Sequence, residues 1–256
     1  MRKQYSGFLL DLDGTMYRGK DPIPEAVTFV KSLQSLKIPF VFVTNNSTAS
    51  PEEVTERLQN MGIPCEAGNV LTSSVAAAAF MSASPVKQSA YVIGESGLKE
   101  ALLSHGIKEE EDTPGFVAVG LDRQVTYEKL AKASQAVQAG AVFISTNGDA
   151  VIPTENGFLP GNGAITSVIT IASGKQPMLI GKPEKVMIDQ AVQLLGIPRK
   201  KIVLVGDNYD TDILAGIRAG IDTIHVDTGV TAADELLQKN IPPTYSIPSL
   251  AHWQLL

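Results

Sequence analysis

The chain has 256 residues, of which 44% are hydrophobic, and its 21 basic and 27 acidic residues leave a formal net charge of −6 at pH 7. A chain of this length buries about three quarters of its unfolded surface. The composition therefore excludes a disordered chain and a small disulfide-dependent domain. The negative charge argues against nucleic acid or an anionic membrane as the main partner.

The cysteine content and the amino-terminal segment indicate where the protein works. The single cysteine, Cys65, cannot form an intramolecular disulfide, which is typical of a reducing compartment. The apolar run Gly7–Leu10 is short and ends at Asp11, so no secretory signal is expected. No stretch approaches the ~20 apolar residues that a membrane span requires. We therefore expect a cytoplasmic protein.

Short apolar runs alternate with helix-type segments along the chain, which is the pattern of a parallel α/β sheet. The predicted core strands are Gly7–Leu10, Pro39–Val43, Met178–Ile180, Ile202–Val205 and Thr223–Val226. The predicted helices between and beside them are Pro24–Lys37, Pro51–Asn60, Pro183–Leu195 and Thr211–Ala219. The near-continuous hydrophobicity of the strands is typical of central strands that are covered on both faces.

The middle of the chain is predicted to be an inserted α/β unit. Its predicted elements are the strands Tyr91–Ile93, Phe116–Val119 and Val142–Ser145 and the helices Gly97–His105 and Tyr127–Ala139. Breaks rich in Ser, Gly and Pro on both sides divide the chain into a first core part (1–84), an insertion (85–176) and a second core part (177–256). The segment Asn147–Gly163 lacks strong periodicity and is predicted to be an extended loop.

Acidic residues follow two of the predicted core strands. Asp11 and Asp13 come directly after the first strand, and Gly14 permits a tight bend behind them. Asp207 follows Ile202–Val205 by one glycine, and Asp212 begins the next helix. Ligands of open α/β sheets bind beyond the carboxyl ends of the strands. A Mg²⁺ ion between such carboxylates would offset their mutual repulsion.

Groups that can hold an anion follow two further predicted strands. Thr44 and Asn45 come after Pro39–Val43 and offer a hydroxyl, an amide and backbone N–H groups. Lys182 lies between a glycine and a proline after Met178–Ile180, where its ammonium could reach the same crevice. Helix capping for the first pair and a solvated surface position for the lysine stay open as alternatives.

The order of these motifs resembles the haloacid dehalogenase superfamily of phosphatases. The motifs are DLDGT from Asp11, TNN from Thr44, GKP from Gly181 and GDNYDTDI from Gly206. The insertion is similar to the type-two cap of the NagD-like acid sugar and p-nitrophenyl phosphatase branch, which the stretch Ser145–Ala164 resembles specifically. The resemblance implies a doubly wound, Rossmann-like core with an inserted α/β cap domain.

The resemblance also implies a role for each motif residue. Asp11 would be the nucleophile that forms an aspartyl-phosphate, and Asp13 would act as general acid and then general base. Mg²⁺ would be held by the side chain of Asp11, the backbone carbonyl of Asp13 and the side chain of Asp207. Asp212 would orient a coordinated water or Lys182. The phosphoryl oxygens would be held by Thr44, Asn45 and Lys182, and Thr15 and Asn208 would be supports.

Substrate recognition is expected to come from the insertion, because all four motifs lie outside it. Asp122 and Arg123 follow one predicted strand of the insertion, and Asn147 and Asp149 follow another. Arg123 could pair with a substrate carboxylate, as an acid sugar would supply. Structural turn roles for Asn147 and Asp149 stay open. The expected partner is a small phosphorylated metabolite, and a homo-oligomer is left open.

Three other functions share parts of this pattern. A haloacid dehalogenase uses one aspartate on carbon and needs no metal, and Asp13 argues against it because a displacement at carbon has no alkoxide to protonate. A signalling receiver domain is roughly half this length and has no insertion. A non-catalytic Mg²⁺-dependent binding protein on the same scaffold is the third alternative. The leading prediction is a Mg²⁺-dependent phosphoric monoester hydrolase.

Overall fold

The computed structural model describes residues 4–154 and 157–255. They fall into two compact units. The first unit consists of Met1–Thr44, Pro51–Leu71 and Lys182–Leu256, and the second unit consists of Asn45–Ser50 and Thr72–Gly181. The limits predicted for separate domains, at 84/85 and 176/177, stay predictions about where independently folding parts meet.

The first unit is built on a six-stranded sheet. Its strands are β1 (Gly7–Leu10), β4 (Phe40–Thr44), β5 (Val70–Thr72), β13 (Ile202–Gly206), β14 (Asp222–Val226) and β15 (Tyr245–Ile247). The strand order is β15-β14-β13-β1-β4-β5, and Leu10 lies opposite Val205 and Phe42 in the parallel register. Strands are added on one side of β1 and then on the other, so the predicted doubly wound, Rossmann-like core is confirmed.

Four helices accompany this sheet. They are α1 (Pro24–Ser35), α2 (Pro51–Asn60), α7 (Lys185–Leu195) and α8 (Leu214–Ala219). Helix α1 has proline at its first position, where the missing N–H needs no partner, and buries Ala26, Phe29, Val30 and Leu33 at helical spacing. A short antiparallel hairpin of β2 (Tyr17–Arg18) and β3 (Asp21–Pro22) follows β1.

The second unit has a five-stranded parallel sheet in the order β12-β9-β8-β6-β7. Its strands are β6 (Ser89–Ile93), β7 (Lys108–Glu109), β8 (Phe116–Val119), β9 (Val142–Ser145) and β12 (Met178–Leu179). Its helices are α3 (Ser73–Ser82), α4 (Ser96–Ser104), α5 (Tyr127–Gln138) and α6 (Asn162–Ser173). Apolar side chains of β6, β8 and β9 pack against α5 and α6, so the predicted α/β character of the insertion is confirmed.

Two predictions about this region are wrong. The run Met178–Ile180 is not a core strand, because β12 pairs with β9 in the sheet of the second unit. The segment Asn147–Gly163 is not an extended loop, because β10 (Val151–Thr154) and β11 (Gly157–Pro160) form an antiparallel hairpin within it. A three-residue apolar run does not specify which sheet it joins, and glycine and proline obscured the alternation of the hairpin.

Candidate active site

Asp11 and Asp13 follow β1 as predicted, in very different surroundings. All four residues of β1 are buried, and the Asp11 amide continues the ladder by donating to the Val205 carbonyl at 2.9 Å. Asp11 is 7% exposed, whereas Asp13 is exposed to solvent. Asp13 Oδ2 accepts a hydrogen bond from Tyr17 Oη at 3.0 Å. The strand therefore fixes Asp11, and Asp13 is held through its side chain.

Lys182 lies between two of the predicted acids. Its Nζ donates to Asp11 Oδ1 at 2.5 Å and to Asp212 Oδ1 at 2.7 Å, and the lysine side chain is only 3% exposed. Burial alone lowers the pKa of Lys182, but the charges of Asp11 and Asp212 outweigh burial and raise it above its ordinary value. Lys182 is therefore a permanent cation of the site.

Asp207 is held by a side chain and by the backbone. Its Oδ1 accepts from Thr15 Oγ1 at 3.0 Å, and its Oδ2 accepts from the Val230 amide at 2.6 Å. A Cβ placed on Gly229 would lie 1.9 Å from Asp207 Oδ2, and one on Gly14 would lie 2.4 Å from it. Only glycine permits this approach. Asp207 is thus fixed at the end of β13 with the help of Thr15, whose supporting role in the reaction stays a prediction.

Asp212 lies in a short π-helical turn, Tyr209–Ile213, that leads from β13 to α8. Its Oδ2 accepts from the Asn208 amide at 3.1 Å, while its Oδ1 accepts from Lys182. A Cβ on Gly206 would lie 2.3 Å from Asp212 Cβ. The support predicted for Asn208 therefore comes from its backbone, and its side chain caps the turn by accepting from the Asp210 amide at 2.9 Å.

The acids gather into one buried cluster with the donor chemistry of a divalent-cation site. One oxygen from each of Asp11, Asp207 and Asp212 lies within 4.8 Å of the others. Burial, followed by the charge of Asp11, raises the pKa of Asp207 to about 6 and that of Asp212 to about 8. A single ammonium leaves these carboxylates short of positive charge, so a hard cation fits them.

Thr44 and Asn45 are consecutive but fall in different units. Thr44 ends β4, beside β1, and is buried. Asn45 belongs to the second unit, where its Nδ2 donates to both carboxylate oxygens of Asp149 at 3.2 Å. The structure thus brings Asp11, Lys182, Asp207 and Asp212 together, whereas the phosphate-binding role of Thr44 and Asn45 stays a prediction.

The residues proposed for specificity lie in the second unit in two groups. Asp122 is 4% exposed and forms an ion pair with Lys129 Nζ at 2.7 Å. Arg123 is exposed and pairs through Nη1 with both oxygens of Glu95, at 3.0 and 2.9 Å. These contacts stabilise the loop after β8. A substrate contact for either residue stays a prediction.

Asn147 and Asp149 form a second polar group with Asn45. Asn147 is 4% exposed, and its Nδ2 donates to the Asn45 carbonyl at 2.8 Å. Asn147 Oδ1 accepts from the Asp149 amide at 3.1 Å. The turn role left open for these residues is thus present, and substrate recognition by them stays a prediction.

The loop after β14 also contributes to the site, although no residue of it was predicted to do so. That loop supplies the Val230 amide to Asp207, and Thr228 Oγ1 donates to the Gly14 carbonyl at 2.7 Å. Thr228 and Gly229 follow the end of β14 by two and three residues, so they lie at the same edge of the sheet as Asp11 and Asp207. The functional donor of this loop is a backbone N–H, which every non-proline residue has, so the sequence does not mark it.

The comparisons with known proteins agree with this geometry. A family model described as "Haloacid dehalogenase-like hydrolase" matches residues 8–108, and one described as "HAD-hydrolase-like" matches 179–253. An acid sugar phosphatase of Staphylococcus saprophyticus is 49% identical over 249 residues, covering 97% of this chain and 96% of that protein. The chain belongs to the haloacid dehalogenase-like hydrolase family.

Two further similar proteins indicate to which branch of the family this hydrolase belongs. The 5'-nucleotidase YutF of Bacillus subtilis is 47% identical over 251 residues, with 98% of each chain covered. The solved structure of NagD from E. coli K-12 superimposes with a TM-score of 0.94 at 31% identity, covering 99% of this chain and 100% of that one. The predicted NagD-like membership is therefore confirmed. Among the described residues, no helix is both long and apolar enough to cross a membrane.

Proposed function

We propose that the chain hydrolyses small organic phosphomonoesters with the help of Mg²⁺, through a phosphoryl group carried transiently on Asp11. The observation that carries this proposal is the buried cluster of Asp11, Asp207 and Asp212, two of which, Asp11 and Asp212, pair with Lys182. The three acids follow the two strands that flank the reversal of strand order, where ligands bind in doubly wound sheets. The phosphatases among the relatives support the reaction class.

Mg²⁺ would be held by the carboxylates of Asp11 and Asp207 and by the backbone carbonyl of Asp13. When bound, the cation neutralises negative charge on the transferred phosphoryl group. Asp207 is suited to this task because Thr15 and the Val230 amide fix both of its oxygens. Asp212 would orient Lys182, to which it is already hydrogen-bonded.

Asp11 is assigned as the nucleophile because it is buried and fixed by the strand before it. Its carboxylate would attack phosphorus while the ester oxygen departs, which gives an aspartyl-phosphate and a free alcohol. Lys182, with Thr44 and the amide of Asn45, would bind the phosphoryl oxygens as their charge develops. Water would then release inorganic phosphate and regenerate Asp11.

Asp13 is assigned to the two proton transfers. It is exposed, as a group must be that meets both a leaving group and a water molecule. Although the residue reaches solvent, partial burial of its carboxyl group, followed by the charge of Asp11, raises the pKa of Asp13 above its ordinary value. A raised pKa favours the protonated form that can donate to the departing oxygen, and the resulting carboxylate can then activate water.

The proposed substrates are sugar or acid-sugar phosphates, with p-nitrophenyl phosphate as a chromogenic substitute. One relative is named an acid sugar phosphatase and another a 5'-nucleotidase, so nucleoside monophosphates belong in the same test. The proposed location is cytoplasmic, because a single cysteine cannot form an intramolecular disulfide, as is typical of a reducing compartment.

The test is release of inorganic phosphate from a panel of sugar phosphates, acid-sugar phosphates and nucleoside monophosphates, ranked by kcat/KM. We expect turnover with added Mg²⁺, no turnover in EDTA, and recovery when excess Mg²⁺ is restored. Turnover that survives EDTA would overturn the metal requirement. No turnover of any phosphomonoester, with Mg²⁺ binding intact by calorimetry, would favour the non-catalytic binding protein.

A further inference from the structure

Two residues outside every motif form a chain of hydrogen bonds that ends on Asp13. Tyr17 Oη donates to Asp13 Oδ2 at 3.0 Å, and Arg57 Nη2 donates to Tyr17 Oη at 2.5 Å. Tyr17 begins β2, and Arg57 lies in the last turn of α2. All three residues belong to the first unit.

The chemistry of the three groups permits only one donor–acceptor direction for these hydrogen bonds, from Arg57 through Tyr17 to Asp13. A guanidinium has donors and no acceptor, so the hydroxyl hydrogen of Tyr17 cannot point at Arg57. It is therefore directed at the Asp13 carboxylate. A phenol ordinarily loses its proton only at about pH 10, so Tyr17 is a donor at neutral pH. Tyr17 is fully buried, and its backbone is bonded to Leu12 and Gly14 in the turn after β1.

Arg57 contacts the ring of Tyr17 as well as its hydroxyl, and it does so with one of its own donors left unpaired among the described residues. Its Cζ lies 4.9 Å from the centre of the Tyr17 ring, and within the described part of the chain its buried Nε has no hydrogen-bond partner. A buried donor without a partner costs about 1–3 kcal/mol. A local departure from good packing that also orders an active-site group is expected of a functional residue.

We propose that Tyr17 and Arg57 are positioning residues that hold the Asp13 side chain in the orientation for proton transfer. The proposal rests on the proposed function, in which Asp13 protonates the leaving group. Asp13 is exposed, and an exposed carboxylate without such a donor samples several rotamers. A fixed donor on Oδ2 limits that freedom and leaves Oδ1 to carry the transferred proton.

The first experiment compares phenyl phosphate with p-nitrophenyl phosphate, which differ little in size but strongly in how much protonation their leaving groups need. kcat/KM covers every step up to departure of the leaving group. We expect Tyr17→Phe to lower kcat/KM roughly 10-fold for phenyl phosphate and less than roughly threefold for p-nitrophenyl phosphate. Tyr5→Phe is the matched control, because it removes a Tyr–Asp hydrogen bond of 2.8 Å in the same unit, to Asp222.

The second experiment separates positioning from a general loss of structure. In the Asp13→Asn background, Tyr17→Phe should have almost no further effect on phenyl phosphate, because the group that it positions has lost its function. Arg57→Met should reproduce the substrate-selective loss of Tyr17→Phe, and Arg57→Lys, which keeps a donor, should restore part of it. The Arg57 pair also provides the test if Tyr17→Phe does not fold.

The positioning role would be overturned if Tyr17→Phe lowered kcat/KM equally for both substrates. It would also be overturned if Tyr17→Phe lowered kcat/KM for phenyl phosphate by the same factor with and without Asp13→Asn. If Asp13→Asn shifts the ratio of the two substrates and neither Tyr17→Phe nor Arg57→Met does, the positioning role fails and the acid role of Asp13 stands. If Asp13→Asn leaves that ratio unchanged, the acid role in the proposed function fails, and the positioning role fails with it.

Discussion

Both units contain a doubly wound parallel sheet with acidic residues after its central strands. They differ in how far neighbouring cations neutralise those acids. In the first unit, strand order reverses between β1 and β13, and Asp11 and Asp207 follow those strands. In the second unit, it reverses between β6 and β8, and Glu95 and Asp122 follow. Both sheets thus place acids where a doubly wound fold binds ligands.

The difference lies in the cations that accompany these acids. In the second unit Glu95 has Arg123 and Asp122 has Lys129, each at hydrogen-bond distance. In the first unit three buried carboxylates lie close together, and Lys182 pairs with two of them, Asp11 and Asp212. Topology provides an equivalent position in both units, but only an acid cluster short of positive charge is suited to a cation and a phosphoryl group.

The largest effect is expected for Asp11→Asn, which is nearly isosteric and removes the nucleophilic charge. Turnover of p-nitrophenyl phosphate should fall at least roughly 1,000-fold, with circular dichroism and Tm close to those of the wild type. Glu95→Gln, the equivalent change in the second unit, should alter kcat less than roughly twofold because its ion pair is exposed. Retention of a tenth of wild-type kcat by Asp11→Asn would refute the assignment.

The next effect concerns the metal requirement. Asp207→Asn keeps the side-chain shape and the contacts to Thr15 and Val230 within reach, but supplies a weaker oxygen ligand. The Mg²⁺ concentration for half-maximal activity should rise at least roughly tenfold, while saturating Mg²⁺ restores part of kcat. Glu95→Gln should leave that concentration unchanged. An unaltered Mg²⁺ requirement in Asp207→Asn would mean that Asp207 is not a ligand.

The pH dependence of stability without metal follows from the raised pKa of Asp207. Its native pKa of about 6 exceeds the ordinary 3.8, so the native state binds this proton more tightly than the unfolded chain does. Stability in EDTA should therefore fall as pH rises from about 4 to about 7, by up to ~3 kcal/mol from this group. The measurement is Tm in EDTA, obtained by scanning calorimetry at pH 5 and at pH 8.

Two comparisons sharpen that measurement. Mg²⁺ should raise Tm more at pH 8 than at pH 5, since it binds the ionised carboxylates. Asp207→Asn cannot ionise, so it should flatten the fall in Tm, whereas Glu95→Gln should not. A Tm in EDTA that rises over this pH range, in the wild type and in Asp207→Asn alike, would show that the cluster is not short of positive charge.

Particular residues show which parts of this structure could be predicted from the sequence. Asp11 and Asp207 were found because apolar strands and the polar residues after them are readable in one dimension. Lys182 was found for a wrong reason, since the strand before it joins the other sheet. The lysine still reaches Asp11 and Asp212, which a three-residue apolar run does not reveal.

What the sequence did not reveal depends on contacts between distant residues or on the backbone. Arg57 meets Tyr17 across 40 positions of the chain, and neither residue type marks an active site by itself. The Val230 amide holds Asp207, but every non-proline residue has such a donor. Likewise, the cations that neutralise Glu95 and Asp122 become visible only once α5 and the loop after β8 are folded.

The smallest effect is expected in the second unit, at the polar group of Asn45, Asn147 and Asp149. Asn147 is buried and bonded to backbone, so Asn147→Ala should lower Tm as well as change activity. Asp149 is half-buried, and both oxygens of its carboxylate accept from the amide of Asn45. Asp149 is therefore the better choice for testing substrate recognition.

We expect Asp149→Ala to change the ratio of kcat/KM for a sugar phosphate to that for p-nitrophenyl phosphate by roughly 3- to 10-fold, with kcat for p-nitrophenyl phosphate nearly unchanged. Loss of a contact with the leaving group should change kcat/KM for the sugar phosphate only. The chemistry at phosphorus is the same for both substrates and should be unaffected. Arg123→Ala, which breaks the exposed pair with Glu95, provides the comparison within the same unit. If Asp149→Ala lowers kcat/KM for both substrates by the same factor, or for neither substrate, Asp149 supports the fold of its loop and does not contact the substrate.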